Sequence, residues 1–102
     1  MSVITDVMLC ASDSETAAVE HINAQMPSLC ASGGRLEMVT DKDRFGGTKV
    51  PSRGAWGGAF NFLDFGSFID AVKAAPWKFR SYVVLILWDE FDDSPHVVTL
   101  GP

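Results

Sequence analysis

The sequence predicts a single α+β domain in which two helices pack on one face of an antiparallel sheet. Apolar residues alternate with a period of two in several short segments, and two further segments carry them at helical spacing. The chain has 102 residues, of which 47% are hydrophobic and 21% are charged, enough for one core and not for two. Its longest apolar run is Tyr82–Trp88, far short of the roughly 20 residues of a membrane helix.

The first strand and the first helix are predicted from the N-terminal quarter of the chain. Val3–Cys10 alternates and is rich in β-branched residues, which predicts a strand ending near Ala11. Ser12 and Glu15 have the spacing of a capping box, in which the serine caps the helix and the glutamate reaches back. Pro27 is expected to end this helix. The apolar positions at helical spacing are Ala18, Val19, Ile22 and Met26.

The middle of the chain predicts two strands separated by a long loop. Leu36–Thr40 is a short strand, and Asp41–Ala55 is the loop that follows it. Trp56–Leu63 alternates and predicts the third strand, in which Gly57 and Gly58 suggest a bulge.

The second helix and the last two strands complete the pattern. Asp64 or Ser67 is expected to cap the helix, and Pro76 is expected to end it. Tyr82–Trp88 is apolar on both faces, as in a central strand, and His96–Leu100 is predicted to pair back as an edge strand. The apolar positions of the helix are Phe65, Phe68, Ile69, Val72 and Ala75.

The order β-α-β-β-α-β with a short extra strand matches the split βαβ, ferredoxin-like topology. Such a fold leaves one sheet face open, and an open face commonly becomes a dimer interface or the floor of a ligand site. The candidates to line it are Trp56, Phe60, Phe62 and Tyr82.

Charge and cysteine content narrow the function classes. Thirteen acidic against eight basic residues give a net charge of −5, which opposes binding to nucleic acid. The N-terminus has no basic region and carries Asp6 inside its apolar stretch, so we expect a cytoplasmic protein without a secretory signal.

Cys10 and Cys30 are too few for a zinc site, and we expect free thiols, no metal and no cofactor. Cys10 is interpreted as a small hydrophobe, with a catalytic thiolate as the less favoured alternative.

A basic, glycine-rich loop is the first candidate binding site. The segment 41–58 holds half of the basic residues and five of the nine glycines, yet it lacks the Walker A and dinucleotide-binding patterns. Lys49 and Arg53 could hold an anionic ligand over an aromatic floor of Trp56 and Phe60. The favoured interpretation remains a solvated hairpin loop, although loops of this length are often functional. The basic residues are Lys42, Arg44, Lys49 and Arg53.

An acidic turn is the second candidate site. It follows the apolar strand directly, precedes His96, and lacks the spacing of a calcium-binding loop. The favoured interpretation is a solvated turn that keeps the neighbouring strand soluble. The alternative is a docking surface for a basic partner protein. The candidate partner-binding residues are Trp88, Asp89, Glu90, Asp92 and Asp93.

Three short motifs carry a resemblance. Gly46-Gly47-Thr48-Lys49, then Gly58-Ala59-Phe60-Asn61, then Pro76-Trp77 before an apolar strand resemble small bacterial single-domain proteins of unassigned function. The resemblance covers residues 46–88 and implies a bacterial, cytosolic, stand-alone domain, with no active site to carry over. In size and acidity the chain is also similar to immunity proteins and phage-encoded inhibitors.

These observations favour a non-enzymatic protein that binds another protein, of immunity, inhibitor or regulatory type, with a homodimer as a further expectation. The second hypothesis is a binder of a small anionic ligand that uses loop 42–58. The third is an enzyme of the dimeric ferredoxin-like kind that uses Asp64, Cys10 or a histidine, and it is the least favoured.

Overall fold

The computed structural model describes residues 4–39 and 53–101 and contains two helices and a five-stranded sheet. All strand pairs are antiparallel, and the strand order is β2-β3-β1-β4-β5. The predicted α+β class is therefore confirmed. In chain order the elements are β1 (Ile4–Ser12), α1 (Thr16–Leu29), β2 (Glu37–Met38), β3 (Arg53–Asn61), α2 (Phe65–Ala74), a short 3-10 helix (Arg80–Tyr82), β4 (Val84–Asp89) and β5 (His96–Thr99).

Strand β1 organises the sheet because it pairs with β3 along its whole length and with β4 on its other side. Successive side chains of a strand point to opposite faces. Val7 and Leu9 are 4% and 0% exposed and face the helices, whereas Met8 between them is only half-buried on the other face. The alternation predicted from the sequence thus separates a covered face from an uncovered one.

The core lies between the covered face and the two helices. Its buried side chains come from α1, α2 and alternate positions of the central strands, and they form one cluster. Phe60 and Phe68 are the largest of the fully buried ones, with ring centroids 6.4 Å apart. The fully buried members that join sheet to helices include Leu9, Val19, Ile22, Met26, Phe60, Phe68, Val72, Leu85 and Leu87.

The glycines of β3 make room for aromatic rings and do not form a bulge. The pairing of β1 with β3 runs without interruption, so the predicted bulge is wrong. A Cβ at Gly58 would lie 2.7 Å from the Phe60 ring, and one at Gly54 would lie 3.0 Å from the Trp56 ring. Each ring therefore folds back over the glycine two positions before it, and a side chain there would require the ring to shift, more at Gly58 than at Gly54.

Helix α1 runs past Pro27 to Leu29, so the predicted stop at the proline is wrong. A proline removes one backbone donor, and here the loss falls in the last turn. Burial of Met26 and Leu29 holds that turn in place, and the Cys30 N–H donates to the Met26 carbonyl at 2.9 Å. Tertiary packing thus overrides the local preference of the proline.

Helix α2 begins as predicted, with the Asp64 carboxylate accepting a hydrogen bond from the Ser67 N–H at 3.2 Å. It ends at Ala74, just before Pro76. Strand β4 begins at Val84, so the prediction that Tyr82 belongs to this strand is wrong, because Tyr82 lies in the 3-10 helix.

Glu15 does not complete a capping box, and α1 begins without a side-chain cap. Its carboxylate is 1% exposed and crosses to the segment between α2 and β4. There it accepts hydrogen bonds from the Lys78 N–H, at 2.8 and 3.1 Å, and from the Phe79 N–H at 2.9 Å. This carboxylate therefore ties the start of α1 to the entry of β4 and supplies the acceptor for two backbone donors.

Candidate functional site

The side of the sheet that faces away from both described helices carries side chains that the core does not bury, and we call it the uncovered face. Its side chains are those that alternate with the buried ones in the strand register. It consists of Asp6, Met8 and Cys10 of β1, Ala55, Gly57 and Ala59 of β3, Val84, Ile86 and Trp88 of β4, and Val97 and Thr99 of β5.

The middle of the uncovered face is apolar. Met8 and Ile86 are directly paired across β1 and β4, and both are half-buried. Trp88 is 40% exposed, and Val97 at the edge of the sheet is 60% exposed. Exposed apolar side chains that cluster in this way are typical of interaction sites.

A shallow groove of about 660 Å³ runs across this face. Trp88 and Val39 lie along its length, with Met8 and Gly57 between them. Asp6 supplies the one acidic side chain of the lining. The groove is open and wide, which fits a protruding part of another molecule better than an enclosed small ligand.

Asp6 and Trp88 are neighbours in this groove because the register pairs them directly across β1 and β4. The Asp6 side chain is exposed, and its carboxylate forms no hydrogen bond or ion pair with the residues that the structure describes. A carboxylate without a partner among the described residues therefore lies beside an exposed indole ring on an apolar surface.

Most carboxylates of the predicted acidic turn make local contacts. Glu90 accepts a hydrogen bond from the Ile4 N–H at 2.7 Å, and Asp89 accepts one from the amide two positions further on at 3.1 Å. Asp92 lies 2.9 Å from His96 Nε2, while Asp93 is exposed. The turn thus fastens the start of β1 and the start of β5, and Trp88 just before it belongs to the uncovered face.

The residues predicted to hold an anionic ligand are not brought together in the described part of the chain. Trp56 and Phe60 are 4% and 2% exposed and lie on the covered face, so neither lines the open face as expected. Lys49 lies outside the described residues, and so does the side chain of Arg53. Phe62 and Tyr82 are exposed, but they lie in a turn and in the 3-10 helix, off the strands of the open face.

The groups considered for catalysis are dispersed. Burial raises the pKa of the Cys10 thiol, which is the opposite of what an activated nucleophile requires. Cys30 is 1% exposed, with its sulfur 3.1 Å from the Asn61 carbonyl oxygen. Asp64 caps α2, and His21 is exposed on α1. Within residues 4–39 and 53–101, no group of three or more His, Cys, Asp and Glu side chains is placed to hold a metal ion.

The sequence contained a partial indication of this face. The run from Val84 to Trp88 is apolar at every position, whereas a strand with one solvated face alternates. The pairing of Asp6 with Trp88 needs the register of two distant strands, and no local pattern in the sequence specifies it.

No helix in the described part of the chain is long and apolar enough to cross a membrane. The chain matches no protein-family model, no curated protein and no solved structure.

Proposed function

We propose that this protein is a non-enzymatic binding protein that engages another protein through the uncovered face. The observation that carries the proposal is the apolar surface around Met8, Ile86 and Trp88, which no described helix covers. Protein interfaces are enriched in tryptophan and methionine at their centres, and leaving such side chains in water is unfavourable. A partner that covers this surface removes that cost.

The shape of the face favours a protein over a small molecule. Small-ligand sites are concave and enclose most of the ligand, whereas this groove is shallow and open. The alternative of an anionic ligand has less support, because Trp56 and Phe60, its proposed aromatic floor, are core residues.

The remaining expectations belong to the same proposal. We place the fold in the ferredoxin-like group, with β5 added beside β4; the central position of β1 between β3 and β4 supports this. A bacterial, cytoplasmic protein of immunity, inhibitor or regulatory type fits the small size and the net charge of −5. The charge favours a partner with a basic surface.

The experiment compares two exposed aromatic residues, one on the uncovered face and one away from it. Trp88 is 40% exposed on the face, and Tyr82 is 52% exposed in the 3-10 helix. Tagged wild type, Trp88→Ser and Tyr82→Ser are used to capture partners from cells that naturally express the chain, and bound proteins are quantified by mass spectrometry.

We expect one partner that wild type and Tyr82→Ser capture equally and that Trp88→Ser captures at least tenfold less. Circular dichroism and thermal melting confirm that both variants are folded. The proposal is wrong if every protein captured by wild type is captured to the same extent by folded Trp88→Ser.

A further inference from the structure

We infer that the groove on the uncovered face receives an arginine side chain of the partner, with the guanidinium placed between Asp6 and Trp88. The inference rests on the proposed function and specifies the chemistry of the partner: a protein surface that presents an arginine among apolar residues. It follows from the geometry of the groove, from its apolar lining and from the charge around it.

Asp6 and Trp88 place a carboxylate next to an indole ring. Directly opposite residues on antiparallel strands have Cα atoms about 4.5–5.5 Å apart, and their side chains share a face. Asp6 and Trp88 are opposite in this sense, and both are exposed. A guanidinium can donate two hydrogen bonds to a carboxylate and stack on an aromatic ring at once, which lysine cannot do.

The groove also has room for the aliphatic part of an arginine side chain. The groove continues from Asp6 over Met8 and Gly57 towards Val39. Gly57 has no side chain, and Val39, which is 59% exposed, bounds the groove beside it, with a methyl carbon 3.7 Å from where a Cβ of residue 57 would lie. The three methylene groups of an arginine can lie along apolar surface while its charged end reaches a polar partner.

The charge of the uncovered face distinguishes a different partner protein from a second copy of this chain. Glu37 is paired with Gly57 in the sheet, but its carboxylate lies 3.9 Å from the Arg35 guanidinium, so Asp6 is the acidic side chain of the groove that has no ion pair among the described residues. Face-to-face association of two copies would bring their Asp6 carboxylates towards each other in a chain of net charge −5. Charge complementarity therefore favours a basic partner over self-association.

The test uses two peptides that differ in one charge. The probe is Ac-Leu-Arg-Leu-NH2, and its control contains citrulline, which keeps the shape of arginine without the charge. Each is titrated at low salt into the ¹⁵N-labelled protein, and NMR shifts of the Trp88 indole N–H and of the Asp6 and Gly57 amides report binding. The protein variants are Asp6→Asn, Trp88→Leu and the matched control Asp70→Asn, which removes an exposed carboxylate from α2.

We expect the arginine peptide to shift these three signals and to bind at least fivefold more tightly than the citrulline peptide. Asp6→Asn should weaken its binding at least fivefold, Trp88→Leu should weaken it at least threefold, and Asp70→Asn should change it less than twofold. Equal binding of the two peptides, or unchanged binding by folded Asp6→Asn, overturns the inference.

Two further outcomes separate this inference from the proposed function. If the captured partner is lost with Trp88→Ser but retained in full by Asp6→Asn, the protein-binding face stands and the arginine site is wrong. If sedimentation equilibrium finds a wild-type dimer that Trp88→Ser dissociates, the face is occupied by a second copy and the inference of an arginine-bearing partner is overturned.

Discussion

The two faces of the sheet are built from neighbouring residues of the same strands, yet they have different surroundings. On β4, Leu85 and Leu87 are 0% exposed against the helices, whereas Ile86 between them is half-buried and Trp88 is 40% exposed. Both sets are apolar, so hydrophobicity alone does not tell which set stabilises the fold. The difference arises because the two helices of the described residues both lie over the same face.

This difference separates two uses of apolar side chains. A side chain on the covered face is removed from water by folding, and burial of a leucine stabilises the folded state by about 1.5–3 kcal/mol. A side chain on the uncovered face still contacts water after folding. Part of its apolar surface can therefore still be buried by association with another molecule. The covered face therefore accounts for much of the stability of the fold, and the uncovered face is the part of the sheet through which we propose that a partner binds.

The largest expected effect comes from truncating adjacent residues of β4. Leu85→Ala leaves a cavity in the core and should lower the free energy of unfolding by about 2–5 kcal/mol. Ile86→Ala removes a half-buried side chain from the uncovered face and should lower it by about 1 kcal/mol. Urea denaturation followed by tryptophan fluorescence measures both. Equal losses for the two variants would show that the faces do not differ in their contribution to folding.

A smaller loss is expected when the buried carboxylate on the covered side is removed. Glu15→Ala removes the acceptor of the Lys78 and Phe79 N–H groups, and a fully buried donor left without an acceptor costs about 1–3 kcal/mol. Because the structure relaxes and water can enter, we expect the free energy of unfolding to fall by about 1–2 kcal/mol in total.

The matched control for this variant is Glu20→Ala. Glu20 forms an exposed ion pair with Arg35 at 2.9 Å, and such pairs contribute about 0–1 kcal/mol. Urea denaturation should therefore separate the two glutamates clearly. If Glu15→Ala is as stable as Glu20→Ala, the tie between α1 and the entry of β4 is not needed for stability.

Much of the fold followed from periodicity, because patterns within one element are local. All five predicted strands and both predicted helices exist, and Asp64 caps α2 as expected. The errors occurred where tertiary contacts override local preference. Helix α1 continues past Pro27 because its last turn is buried, and Gly58 accommodates the ring of Phe60 where a bulge was expected.

The candidate site was less accessible from the sequence. Trp56 and Phe60 were assigned to an open face, since alternation tells which residues share a face but not which face the helices cover. The choice is made by packing between distant segments, as is the pairing of Asp6 with Trp88. Glu15 was assigned a local role because the N–H groups that donate to its carboxylate, at positions 78 and 79, lie more than sixty residues away in the sequence.

The reactivity of the two cysteines tests the comparison at single residues, because one cysteine lies on the uncovered face and the other lies in the core. Cys10 is half-buried on the uncovered face, and Cys30 is 1% exposed in the core. Iodoacetamide should therefore alkylate Cys10 in the folded protein and Cys30 only after unfolding, as measured by mass spectrometry of digested samples. Because burial raises the pKa of Cys10 and only the thiolate reacts, its rate at pH 7.5 should be several-fold below that of a cysteine in an unfolded peptide. The rate should still be rising at the pH where the peptide's rate has levelled off. A native Cys10 that reacts faster than the peptide at pH 7.5 would mean that its thiolate is stabilised, and the apolar character assigned to the uncovered face at this position would be wrong.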